Sequence, residues 1–143
     1  MIIRNVSYNN KDIITEINKV VGKSYSWIER LKLGGIGSPR FVIDHSSESI
    51  KELLNKDNYI NYCNIELRPG GIIIAFRSLL ETYAWIIPYY KLSIYNSENT
   101  CSIYSDKDFV KLKNIHKPGL NQAFVKRIME ARTAFLNETL MPA

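Results

Sequence analysis

The side chains that could attack, titrate or hold a metal are few in this chain, and they are scattered. It has two histidines, His45 and His116. Asp44 adjoins His45, but neighbours on a strand point to opposite faces, so adjacency alone makes no dyad. A Ser-His-Asp arrangement or a metal site needs groups that converge in space. No ligand spacing announces one, so the sequence points to no catalytic residue, no metal and no cofactor. An enzymatic alternative, a small hydrolase or transferase, would have to be built on Asp44, His45 and His116. Gly34-Gly35-Ile36-Gly37-Ser38-Pro39 contains Gly-x-Gly but neither GxGxxG nor Gly-Lys-Ser/Thr. It follows a helical pattern rather than a strand, which is the wrong context for a phosphate loop. It reads as a flexible connector.

The positive groups offer more. Lys107, Lys111, Lys113, His116 and Lys117 form a basic stretch, with Lys111 and Lys113 on one strand face. One reading is an edge strand kept soluble by lysines. The other is contact with phosphate or an acidic partner, with Lys91 and Tyr104 beside it. Tyr89, Tyr95 and Tyr104 face outward in the expected register, and exposed rings on a sheet can stack bases. Nucleic acid is therefore a second candidate partner, although no recognised nucleic-acid motif is present.

These residues must be positioned by residues 60–113, a run of short strands divided by turns. Cys63, Ile65 and Leu67 alternate with Tyr62, Asn64, Glu66 and Arg68, the period of a strand with one buried face. Pro69-Gly70-Gly71 supplies a turn. Proline cannot take the positive φ of a primed two-residue turn, so a loop of about four residues is expected. Folding the next strand, 72–77, back on the first pairs Leu67 with Ile72, Ile65 with Ile74 and Cys63 with Phe76. A one-residue slip would lose this sorting. A second hairpin, 89–95 and 100–105, is expected to pair Tyr95 with Thr100 and Lys91 with Tyr104.

Further strands are expected at 40–45, 82–87 and 109–113. Phe41, Ile43 and His45 should share the inner face of the first, and Tyr83, Trp85 and Ile87 that of the second. Ile73 and Ile86 would lie together on the outer face, which calls for a cover. The helix expected over Lys11 to Val21, capped by Asn10 and stopped by Gly22, carries Ile13, Ile14, Ile17, Val20 and Val21 in one stripe and is the cover expected. Residues 1–9 are read as a short strand or a loose arm. A second amphipathic piece, Ser26 to Leu33, carries Trp27, Ile28, Leu31 and Leu33, and a short helix over Ser46 to Asn55 carries Ile50, Leu53 and Leu54. A long helix capped by Asn121 and running to about Leu140 presents Phe124, Ile128, Ala131 and Phe135. It must dock on the sheet, because such a helix is unstable alone.

The length, 143 residues, is enough to bury a core as one domain. The longest charge-free apolar stretch, Thr82 to Tyr90, is far short of the roughly 20 residues that span a bilayer. No secretory signal leads the chain, so Cys63 and Cys101 are expected to be free buried thiols and the protein cytoplasmic. The net charge is +5. Seven bases against four acids in residues 100–143 lean that excess toward the C-terminal third.

Seven antiparallel strands followed by one helix resembles the bacterial pleckstrin-homology-like (PH/GRAM-type) domains. Ile87-Pro88-Tyr89-Tyr90-Lys91-Leu92-Ser93-Ile94 is similar to an Ile-Pro-Tyr-x-x-Leu/Ile core that recurs in them. The resemblance covers residues 40–138. It implies an α+β fold: a bent seven-stranded antiparallel sheet or barrel capped by a C-terminal helix, here with an N-terminal helical extension over 1–39. It implies a module that binds lipid headgroups, peptides or proteins rather than a catalyst. The lysine-rich first loop of the lipid-binding members is not reproduced, since Lys51 and Lys56 stand among Glu48, Glu52 and Asp57, and the next loop offers only Arg68. The expectation is a non-catalytic cytoplasmic interaction module for a protein or an anionic ligand. Its candidate binding residues are Arg68, Lys91, Tyr104, Lys111, Lys113 and Lys117.

Overall fold

A computed structural model describes residues 1–54, 60–78, 80–115 and 118–140, with the side chains of 118–121 and 139–140 outside the description. It is an α+β fold. The strands are β1 (Ile2–Asn5), β2 (Phe41–Ser46), β3 (Tyr62–Arg68), β4 (Gly71–Ser78), β5 (Glu81–Pro88), β6 (Ser93–Asn96), β7 (Thr100–Ser105) and β8 (Asp108–Asn114). The helices are α1 (Lys11–Val21), α2 (Trp27–Leu33), α3 (Glu48–Lys51) and α4 (Pro118–Leu140).

All eight strands form one antiparallel sheet in the order β1-β5-β4-β3-β2-β8-β7-β6. That is one strand more than expected. Ile2–Asn5 pairs with Ile86–Tyr83 and extends the sheet, so residues 1–39 are not solely a helical extension. The ladder runs from β1 to β6 and stays open at both, so the barrel alternative does not hold.

The β3–β4 register is the expected one, with Cys63 opposite Phe76, Ile65 opposite Ile74 and Leu67 opposite Ile72. The turn is shorter than expected. Arg68 pairs with Gly71, leaving only Pro69 and Gly70 between them. Neither Gly70 nor Gly71 adopts positive φ, so the turn is not of the primed kind that proline forbids. Gly71 is needed for space. A β-carbon there would lie 2.6 Å from Val21 Cγ1 and collide with the Ile87 carbonyl oxygen.

The second hairpin differs by two residues. Ser93 faces Tyr104, Ile94 faces Ile103 and Tyr95 faces Ser102. The register is set by the connecting turn, where Ser97 N donates to the Thr100 carbonyl at 2.8 Å and leaves Asn96 and Cys101 as the last pair; upstream, Tyr89–Lys91 forms a 3₁₀ turn after Pro88, so the strand begins only at Ser93. A two-residue shift keeps side-chain parity, so Tyr95 and Tyr104 still face outward. Tyr89 does not. It is buried against the Phe135 ring at 5.7 Å, and its hydroxyl donates to the Arg68 carbonyl at 3.0 Å.

The core fills the inner face. Phe41, Ile43, Cys63, Ile65, Ile74, Trp85, Ile87, Ile103 and Leu112 meet Phe124, Val125 and Ile128 of α4 and Ile50 of α3. Helix α4 starts at Pro118 rather than at Asn121; proline suits a first helical position because its missing N–H would have no partner there. Val125 joins the expected stripe on its buried side, while Met129 points to solvent. Helix α3 is four residues long instead of ten, although Ile50 and Leu54 are buried and Leu53 packs on the core. Asn55, the expected end of that helix, lies outside the described residues. Both cysteines are free and buried, and burial pushes the Cys101 thiol up to about 12 and the Cys63 thiol up as well.

The outer face carries a smaller cluster. Ile17 and Val21 of α1 pack on Ile73, Ala84 and Ile86, so α1 is the cover expected. Asn10 caps it through its side chain, accepting from Asp12 N and Ile13 N. Arg68 Nη1 reaches its far end, donating to Asn18 Oδ1 at 3.1 Å and to the Gly22 carbonyl at 3.0 Å.

Candidate functional site

Away from α1, no described helix packs on the outer face of the sheet, and the pairing of its strands decides what shares it. Tyr62, Val42, Lys113 and Thr100 are successive cross-strand partners from β3 to β7. His45, Lys111, Ser102 and Tyr95 form the next such row. Ser93, Tyr104 and Phe109 form a third. Rings and cations are therefore interleaved over five adjacent strands.

The rings touch one another. Tyr104 meets Tyr95 edge-on at 5.6 Å and stacks on Phe109 at 5.6 Å. Such pairs hold each ring upright on the sheet. At the other end, the Arg40 guanidinium lies 5.0 Å from the centre of the Tyr62 ring. Arg77 pairs with Thr82 beside it, and Arg40, Tyr62, Asn64, Ala75 and Arg77 line a hollow of about 270 Å³. Lys111, Arg40 and Arg77 are exposed and make no ion pair among the described residues. Lys113 reaches Asp44 Oδ1 at 3.3 Å.

His45 Nε2 lies 3.5 Å from Asp44 Oδ2. The expectation that these two point apart is wrong because β2 is bulged between Ile43 and His45. The bulge turns His45 outward, away from the inner face it was expected to share with Phe41 and Ile43. Its side chain is 69% exposed, and Lys113 competes for the same carboxylate. His116 lies outside the described residues, so the three groups of the enzymatic alternative are not seen together. No cluster of three potential metal ligands occurs among the described residues.

Of the candidate binding residues, Tyr104, Lys111 and Lys113 are brought to one face. Lys91 is not with them. It sits on the 3₁₀ turn, 3.6 Å from Asp106 and near the Tyr90 ring, and Ser93 takes the place opposite Tyr104. Arg68 is structural. It pairs with Glu66 and ties β3 to the end of α1, with 13% of its side chain exposed. Lys117 lies outside the described residues. Tyr95, expected as an outward ring, joins Tyr104, Lys111 and Lys113, and Arg40, Tyr62, Arg77 and Phe109, which were not among the candidates, complete the face. Strand parity could have found two of them, since pairing Cys63 with Phe76 sends Tyr62 and Arg77 to the opposite side together.

The glycine cluster is a connector with built structure. Gly34 ends α2 in the left-handed region, Ile36 and Ser38 make backbone hydrogen bonds to Leu67 and Ile65, and Gly37 bridges Glu66. No described helix is long and apolar enough to cross a membrane. No protein-family model matches this chain, and no curated protein is similar to it.

Proposed function

We propose that this chain is a non-catalytic binding module and that the outer face of its sheet takes single-stranded nucleic acid. The observation that carries the reading is the alternation of rings and cations across the face. Tyr104, Tyr95 and Phe109 stand at one end, Lys111 and Lys113 in the middle, and Arg40, Tyr62 and Arg77 at the other. Rings give bases a surface to stack on, and lysine and arginine between them follow a phosphate backbone. Seven strands from Phe41 to Asn114 followed by one docked helix support reading the scaffold as PH-like. In such a scaffold the inner face is committed to the core, so an outer-face ligand costs no rearrangement.

The test is fluorescence anisotropy of labelled mixed-sequence single-stranded RNA and DNA, titrated at several salt concentrations. Affinity should fall as salt rises, because each neutralised phosphate releases a counterion. Tyr104→Ala should weaken binding by about 10- to 100-fold, the range for one lost stacking contact. Lys111→Glu should weaken it and flatten the salt slope by about one. Binding that ignores salt, or that survives both substitutions unchanged, would overturn the proposal.

A further inference from the structure

Helix α2 is held firmly and covers nothing. Its start is a complete capping box, in which Ser26 Oγ accepts from Glu29 N and Glu29 accepts from Ser26 N. Its end is held from another element. Arg127 of α4 donates to the carbonyls of Leu33, Gly34 and Gly35 at 3.0, 3.1 and 3.0 Å. Arg30 anchors the approach, bonding Tyr25 O and Ser24 Oγ, while Tyr25 packs on the core. Yet no residue of α2 is buried. Trp27 and Leu31 are each 71% exposed and Ile28 is 53% exposed. At about 100° per residue these three fall within one arc of the helix. An apolar face held this rigidly in water marks a contact surface.

The charge around that face selects the occupant. Lys23, Arg30 and Lys32 are opposed by Glu29 alone between residues 23 and 33. Lys23 and Lys32 are exposed, and Lys32 lies one step around the helix from Ile28. Three apolar side chains are far too few for a stable interface with a second copy. A tryptophan-bearing apolar arc bordered by lysines matches a different surface, the headgroup layer of an anionic bilayer. We infer that α2 is a peripheral membrane-contact element, with Trp27, Ile28 and Leu31 entering the acyl boundary of an anionic lipid surface and Lys23 and Lys32 lying among its headgroups. One short helix by itself gives weak, reversible binding.

The chain carries its own reporter. Trp85 is 1% exposed, so a change in tryptophan emission on adding vesicles reads Trp27. The full chain is mixed with vesicles of equal parts phosphatidylcholine and phosphatidylserine, and with phosphatidylcholine alone. The expected result is a blue shift and co-sedimentation with the anionic vesicles, both reduced by salt. Leu31→Ser should lower partitioning by about tenfold, and Lys32→Glu should weaken it severalfold at low salt. Both sites are exposed, so the variants should keep the wild-type circular dichroism. The inference is overturned by no shift with anionic vesicles, by equal binding to both vesicle types, or by a blue shift that follows protein concentration without lipid, which would mean self-association. Tyr104→Ala and Lys111→Glu lie on the other surface and should leave vesicle binding unchanged, so this inference and the nucleic-acid reading fail independently.

Discussion

Helices α1 and α2 follow one another in the chain, and each carries an apolar stripe at helical spacing. Both are capped at the start, by Asn10 and by Ser26, and both end at a glycine with positive φ. Only one is buried. Ile17 and Val21 of α1 meet Ile73, Ala84 and Ile86, which make an aliphatic island on the outer face. Helix α2 meets no such island and leaves Trp27, Ile28 and Leu31 in water. An amphipathic pattern therefore fixes a helix and its faces, and whether that face joins the core depends on a matching patch elsewhere. Burying an aliphatic side chain yields about 1.5–3 kcal/mol, which α1 collects and α2 does not.

Three measurements would break or sharpen this contrast. The largest effect is expected at Gly71, where α1 and the sheet come closest. Gly71→Ala places a methyl against Val21 Cγ1 and the Ile87 carbonyl, and should cost about 3 kcal/mol or more in urea unfolding because a backbone carbonyl cannot yield. A loss under about 1 kcal/mol would mean that the α1 seat is loose.

Next comes a matched pair. Val21→Ala should cost about 2 kcal/mol, from lost burial plus the cavity left behind, while Leu31→Ala should stay within about 0.5 kcal/mol. Equal costs would erase the distinction between the two helices.

The smallest effect is acid sensitivity at the α1 end. Arg4 bonds Glu16 through Nε and Nη2, at 2.7 and 3.0 Å, and holds that carboxyl below its ordinary value. A carboxyl lowered in the fold stabilises it above its unfolded value and loses that contribution as pH falls through the lowered value. The protection of β1 amides, taken relative to their intrinsic exchange rate at each pH, should therefore fall as the pH drops below about 4, and Glu16→Gln should show the lower protection already at neutral pH. Unaltered exchange in the variant would show that the pair holds nothing in place.

Much of the scaffold was legible. The β3–β4 register followed from alternation, which rules out a one-residue slip, together with the Pro69-Gly70 turn, and the Ile73/Ile86 pair announced its own cover. What escaped was set by backbone detail. The bulge in β2 reversed His45, and nothing in Phe41-Val42-Ile43-Asp44-His45 marks where an extra residue will sit. The turn at 97–100 closes the last hairpin two residues away from the expected register, which parity cannot detect because it preserves faces. The site was half legible for the same reason. Tyr104, Lys111 and Lys113 lie on neighbouring strands whose parity is plain, whereas Lys91 depended on the shifted register. Arg68 looked free because its partners, Asn18 and Gly22, are some fifty residues earlier.

The place of β1 has a bearing on how the chain is made. Residues 2–5 are synthesised about eighty residues ahead of their hydrogen-bonding partners, residues 83–86. This strand cannot pair until that intervening stretch has been translated, so a nascent chain must carry it unpartnered in the meantime. Its isoleucines, Ile2 and Ile3, are then open to other strands, and the risk of mispairing is highest on the ribosome rather than in the finished protein.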